Sequence, residues 1–83
     1  MKRFRVTWHP EARRELAQIW LAATDRAAVS NAANRIDVLL GHDPENTGDD
    51  FYGDRILVDL PLAVTFTVSP EDRWVQVLQV WHR

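Results

Sequence analysis

Eighty-three residues, a formal charge of −2 and no cysteine suggest one domain over residues 1–83, with neither disulfides nor a thiolate metal site. No apolar run approaches the ~20 residues that span a bilayer, and the basic start MKRFRVTWHP lacks the apolar stretch of a secretory signal. A reducing, cytoplasmic setting without membrane contact is the expectation.

A chain this short buries only about 60–65% of its unfolded surface, so its apolar residues, including four Trp, must pack efficiently. Its charges are segregated. Lys2, Arg3, Arg5, Arg13 and Arg14 stand near the start against Glu11 alone, whereas residues 37–54 hold Asp37, Asp43, Glu45, Asp49, Asp50 and Asp54 without Lys or Arg. Such a dipolar chain lacks the broadly basic footprint of a strong nucleic-acid binder.

Phe4-Arg5-Val6-Thr7-Trp8 alternates apolar with polar, as a half-buried strand does, with Phe4, Val6 and Trp8 inward. Pro10 suits the first position of a helix, capped by His9 in place of a better Ser, Thr, Asp or Asn. That helix is expected from Pro10 to Ala23, with an apolar stripe of Ala12, Leu16, Ile19, Trp20 and Ala23. Arg13, Arg14 and Gln18 lie off the stripe. Thr24 or Asp25 caps a second helix from Arg26 to Leu40, with Val29, Ala32, Ala33, Ile36, Leu39 and Leu40 as its stripe. Gly41 is expected to end it at positive φ, and Pro44 forbids continuation. The short link makes the helices an antiparallel hairpin, drawn close by alanines.

Residues 41–54, GHDPENTGDDFYGD, read as a polar loop with Phe51 and Tyr52 tucked under it. In the strand that follows, Ile56, Val58 and Leu60 are assigned to one face, and Arg55, Leu57 and Asp59 to the other. The chain turns near Leu60-Pro61, since Pro cannot donate to a ladder. Leu62, Val64, Phe66 and Val68 then share a face, with Ala63, Thr65, Thr67 and Ser69 opposite. Ser69-Pro70-Glu71-Asp72 is a turn. Trp74 to Trp81 is apolar on both parities, as in a central strand or one covered on both faces. The expected class is α+β in the order β-α-α-β-β-β: a helical hairpin on one face of a small antiparallel sheet. Arg55, Asp59, Thr65 and Thr67 would lie on its open face.

Trp8-His9-Pro10-Glu11-Ala12, Asp43-Pro44, Gly53-Asp54-Arg55 and the closing Val80-Trp81-His82-Arg83 resemble, in their order and spacing, the RelE/ParE toxin superfamily. The resemblance covers nearly the whole chain. It implies a growth-inhibiting toxin of a type II toxin–antitoxin pair, of the plasmid-stabilisation kind, wrapped by a cognate antitoxin. Its target would be mRNA on the ribosome, cut by the toxin, or DNA gyrase. By position, Arg55 matches a basic residue at the sheet entry and His82 a C-terminal His or Tyr of the nucleases. Arg73, at the last hairpin, is set to touch phosphate. Family nucleases also carry an Arg early in the second strand of this sheet, in a Tyr-Arg pair. That pair here reads Leu62-Ala63, and losing one such cation typically costs about two to three orders of magnitude in rate. A non-catalytic protein-binding module, toxin-like in fold but without toxicity, is the alternative. No cofactor is implied.

Against these roles stand plainer ones. His82 is either a general acid or base or a terminal-strand residue packed beside Trp81. Asp59 could meet Thr65 or Thr67, or orient His82, although cross-strand polar pairs are commonly a solvated face. Asp43-x-Glu45-x-Thr47-Gly48-x5-Asp54 echoes a calcium loop, but Pro44 and a terminal Asp make it a poor one. Trp8 and Trp20 belong to core stripes. Trp74 and Trp81 lie on opposite parities, so without a bulge only one faces the helices. An exposed Trp81, with Arg13 and Arg14 on the first helix, would mark a binding surface. The basic start, Lys2, Arg3 and Arg5, would contact phosphate or an acidic antitoxin, or simply be solvated.

Overall fold

The computed structural model describes residues 3–83; Lys2 of the basic start lies outside them. In chain order come β1 (Arg5–Trp8), α1 (Pro10–Ala22), α2 (Arg26–His42), a 3-10 turn (Pro44–Asn46), β2 (Asp49–Phe51), β3 (Asp54–Asp59), β4 (Leu62–Ser69) and β5 (Trp74–His82). The α+β class and the helical hairpin on one face of a sheet agree with expectation. The sheet itself is larger and mixed, with five strands in the order β1-β5-β4-β3-β2. β1 runs parallel to β5, and the remaining pairs are antiparallel. The extra strand, β2, comes from the stretch read as a loop.

Local chemistry sets the helix ends. The His9 ring accepts from the Glu11 backbone N–H at its Nδ1, 3.1 Å away, with Pro10 next to it. Asp25 caps α2 by accepting from the Ala28 amide at 3.0 Å. α2 runs past the expected end at Leu40, because Gly41 is helical and its carbonyl accepts from the Phe4 amide at 2.9 Å. The helix stops where Asp43 (φ −148°), preceding Pro44, is pushed out of the α region.

Ala12 of α1 and Val29, Ala32, Ile36 and Leu40 of α2 pack on Leu62, Val64, Phe66, Val75, Val77 and Val80, all buried. Phe4, Val6, Trp8, Leu16 and Ile19 close the margin of this core. Trp20 and Leu39, assigned to the stripes, are 39% and 43% exposed. Both lie at the outer edge of their helices' apolar arc.

The faces of β3 are the reverse of those read from its alternation. Arg55 opposes Phe66, Leu57 opposes Val64 and Asp59 opposes Leu62, and directly opposed residues point the same way. Arg55, Leu57 and Asp59 therefore lie on the helix side, and Ile56 and Val58 on the open side. The reason is the turn. Leu60-Pro61 is a two-residue connection with a cis peptide bond, so Leu60 is not a strand residue and Asp59 pairs directly with Leu62.

β5 contains a bulge. Thr65 opposes Gln79 but Phe66 opposes Val77, leaving Leu78 as the extra residue. Val75, Val77 and Val80 consequently all face the helices, while Trp74, Gln76, Gln79 and Trp81 face away. The bulge accounts for an apolar run on both parities. β1 accompanies β5 only as far as Val77. Beyond it, the Val80 amide donates to the Glu15 carboxylate of α1 at 2.9 Å, so the helix satisfies what the strand leaves open.

Candidate functional site

The residues expected to carry nuclease chemistry do not converge. Arg55 is half-buried on the helix side, donating to the carbonyls of Thr47 (3.0 Å) and Gly48 (2.8 Å) and to Asp50 (3.0 Å). All its acceptors are protein groups, so it ties the acidic loop to the sheet. Arg73 sits in the β4–β5 turn at φ 48°, its carbonyl accepting from the Arg5 amide at 2.8 Å. His82 lies at the far end of β5, a nine-residue strand, so it stands about 25–30 Å from Arg73 along the chain direction. Groups that share one reacting phosphate must come within about 3 Å of it. His82 is exposed on the helix side, beside Ile19, Ala23, Thr24 and Pro61. Among the described residues its ring has no side-chain hydrogen-bond partner.

The expected binding-surface residues also separate. Asp59 is held on the helix side by Arg35 of α2, through a fork of contacts at 2.8, 3.0 and 3.2 Å. The hydrogen bonds that Arg35 donates to Asp59, with the charge of that carboxylate, raise the Arg35 pKa above its ordinary value. Asp59 therefore neither meets Thr65 or Thr67 nor orients His82. Thr65 and Thr67 do lie on the open face, opposite Gln79 and Gln76. Trp81 joins them, opposite Ala63, as does Trp74, whose indole N–H donates to Thr7 at 2.8 Å. Arg13 and Arg14 are exposed on α1. Arg13 donates to the Trp8 carbonyl at 3.2 Å, and Arg14 stands 3.9 Å from Glu11.

No Lys or Arg occupies the open face of β3, β4 or β5. By register that face carries Asp54, Ile56 and Val58; then Ala63, Thr65, Thr67 and Ser69; then Trp74, Gln76, Gln79 and Trp81. The position where family nucleases place a guanidinium is filled by fully buried Ala63. The acidic residues of the loop are spread among other roles. Asp43 accepts from Asn46, Asp54 has left the loop for β3, and among the described residues no three His, Asp or Glu side chains converge.

Two of the concavities bear on binding. A groove of about 640 Å³ runs between the helices over Trp8, Leu16, Ala17, Trp20, Val29 and Ala33, rimmed by Arg13 and Asp37. The facing alanines thus leave a groove where close helix contact was expected. The Arg26 guanidinium stands 4.6 Å from the ring centre of Trp20, one of the lining residues. A second concavity, of about 450 Å³, lies on the open face. His9 and Glu11 form one wall, Phe51, Tyr52 and Asp54 the other, and Thr65, Leu78 and Gln79 the floor. Phe51 and Tyr52 were expected beneath the loop but project from the β2–β3 hairpin. The signal for that turn was Tyr52-Gly53, which has φ of 50° and 89°. Among the described residues no helix is long and apolar enough to cross a membrane.

No family model matches the sequence, and no curated protein matches it. Solved structures do. A chain of the RelBE2 toxin–antitoxin complex from Mycobacterium tuberculosis aligns over 100% of this chain and 94% of its own length, with a TM-score of 0.78 at 17% identity. A chain of the chromosomal ParDE toxin–antitoxin system from P. aeruginosa aligns over 95% of each, with a TM-score of 0.74 at 18% identity. With two helices on a five-stranded mixed sheet, the chain has the RelE/ParE-like toxin fold.

Proposed function

We propose that the chain is the toxin of a type II toxin–antitoxin pair and that it acts by binding a protein, DNA gyrase first among those to test, rather than by cutting RNA. The observation that carries this reading is the open sheet face, which on β3, β4 and β5 has no Lys or Arg. A phosphoryl transition state needs preorganised cations, and each missing one typically costs about two to three orders of magnitude in rate. The resemblance of fold to chains of two toxin–antitoxin complexes supports the toxin role.

A cognate antitoxin is the natural occupant of the groove between α1 and α2. Its apolar floor and polar rim suit the apolar stripe of an amphipathic helix, and Leu21 beside it is 64% exposed. Covering Trp20 and Leu21 would supply the central anchors typical of such contacts.

Induced expression with and without a neighbouring short acidic gene tests the pair. Growth arrest relieved by that gene is the expected result. Supercoiling by purified gyrase should fall on adding the protein, and mRNA on ribosomes should stay intact. His82→Ala should arrest growth as well as the native chain does. Cleaved mRNA in arrested cells, lost in His82→Ala, would overturn the protein-binding reading.

A further inference from the structure

The trough on the open face has a composition opposite to that of a phosphate site. One wall holds Glu11, beside His9 and within 3.9 Å of the exposed Arg14, and the other holds Asp54, while the hairpin's own cation, Arg55, lies on the opposite face, bonded to Asp50 and two carbonyls. Between the walls lies Thr65, only 3% exposed, whose hydroxyl makes no side-chain hydrogen bond among the described residues. No buried side-chain oxygen or nitrogen of the described residues is left without a partner, so this hydroxyl keeps access to solvent at the trough it lines and is free to accept a hydrogen bond there.

The hairpin tip points the same way. Tyr52 and Gly53 both have positive φ, the geometry of a type I′ turn, which favours Asn, Asp or Gly at its first central position. Tyr there is strained, and its ring is 95% exposed, touching Phe51 edge-on at 4.9 Å. Packing within the fold does not compensate a side chain so exposed. Strain of this kind gathers where a surface binds something, and an exposed Tyr is a common interface anchor.

We propose that this trough receives an arginine carried on an extended segment of a protein partner. A guanidinium is planar, stacks on aromatic rings and donates in several directions. The Phe51–Tyr52 pair offers the ring faces, Glu11 and Asp54 the countercharges, and Thr65 and Gln79 the oxygen acceptors on the floor. The same carboxylates repel nucleic acid. The proposal rests on the protein-binding reading above and specifies the chemistry of the partner.

The test uses the full chain and a blocked hexapeptide with a central Arg between leucines, followed by amide chemical shifts. Its controls are the same peptide with Gln for Arg and a single-stranded RNA hexamer. The Arg peptide should shift Thr65, Gln79 and Tyr52, and the Gln peptide should bind about fivefold more weakly or not at all. Asp54→Asn and Glu11→Gln should each weaken binding about two- to fivefold. Tyr52→Asn separates binding from folding: it should raise the melting temperature by relieving the turn, yet weaken the peptide at least about fivefold. Equal binding of the Arg and Gln peptides, or unchanged affinity in Tyr52→Asn, would overturn the proposal. RNA seated in the trough would sink both this site and the protein-binding reading. A peptide that shifts only residues elsewhere would sink this site alone.

Discussion

The register of β3 makes a sharp prediction about two neighbouring residues. Leu57 packs against the core cluster opposite Val64, while Val58 faces the other way and is 45% exposed. Leu→Ala at a packed site costs about 2–5 kcal/mol, and the partial exposure of Leu57 puts it near the lower end. Val58→Ala removes the equivalent of about one buried methylene, or about 0.8 kcal/mol. For a domain of this size each kcal/mol moves the melting temperature by about 4–8 °C. Leu57→Ala should therefore lose about 8–16 °C and Val58→Ala about 3–6 °C, measured by far-UV circular dichroism on heating. Urea titration should give the same order with similar m-values. Equal losses, or a larger loss at Val58, would mean that the two faces of β3 have been assigned the wrong way round.

The bond from the Val80 amide to Glu15 is part-buried and charge-assisted. Glu15→Ala should cost about 1.5–3 kcal/mol and speed hydrogen exchange at the Val80 amide, whereas Glu15→Gln should keep much of both. Gly48 has φ of 73°, and a Cβ there would collide with the Ile56 carbonyl oxygen. Gly48→Ala should therefore cost at least about 1–3 kcal/mol in thermal unfolding, whereas Gly53→Ala, with open space around it, should show only the backbone part of that loss.

Elements whose apolar residues kept one period were legible from sequence. β1 alternates cleanly, and each helix has a stripe that matches its buried face apart from Trp20 and Leu39. The remaining errors share a physical origin. Ile56, Leu57 and Val58 are apolar on both parities, so alternation cannot choose the face of β3; the two-residue turn at Leu60-Pro61 does. Trp74 to Trp81 is ambiguous for a different reason, since the bulge at Leu78 exchanges the faces midway. β2 is short, exposed and acidic, and pairing with β3 rather than propensity makes it a strand. The mixed character of the sheet was beyond reach because β1 meets β5 across nearly the whole chain. For the site, Thr65 and Thr67 lie on the face that alternation assigns to them, whereas alternation alone gives Trp81 no face: the bulge puts both it and Trp74 on the open side. Asp59 and Arg55 lie on the face opposite to their assignment, and both errors follow from the reversed parity of β3.

The bulge also explains why the open face has the composition it does. In an unbroken β5, the alternation that puts Val75 and Val77 inward would put Val80 outward. Trp81 would turn toward the helices, where Ile36 and Leu62 already fill a packed core. An indole forced into that space is overpacking, which typically costs about 1–3 kcal/mol. One extra residue removes the conflict: Val80 stays inward, the Trp81 ring goes out over Ala63, and Leu78 and Gln79 are delivered together to the floor of the trough. Bulges re-aim side chains where a sheet meets a site, and this one lies opposite Thr65, between the Glu11 and Asp54 walls. The fold is RelE/ParE-like. The face it presents carries no Lys or Arg on β3, β4 and β5, and the bulge delivers to it the floor that the proposed arginine site requires.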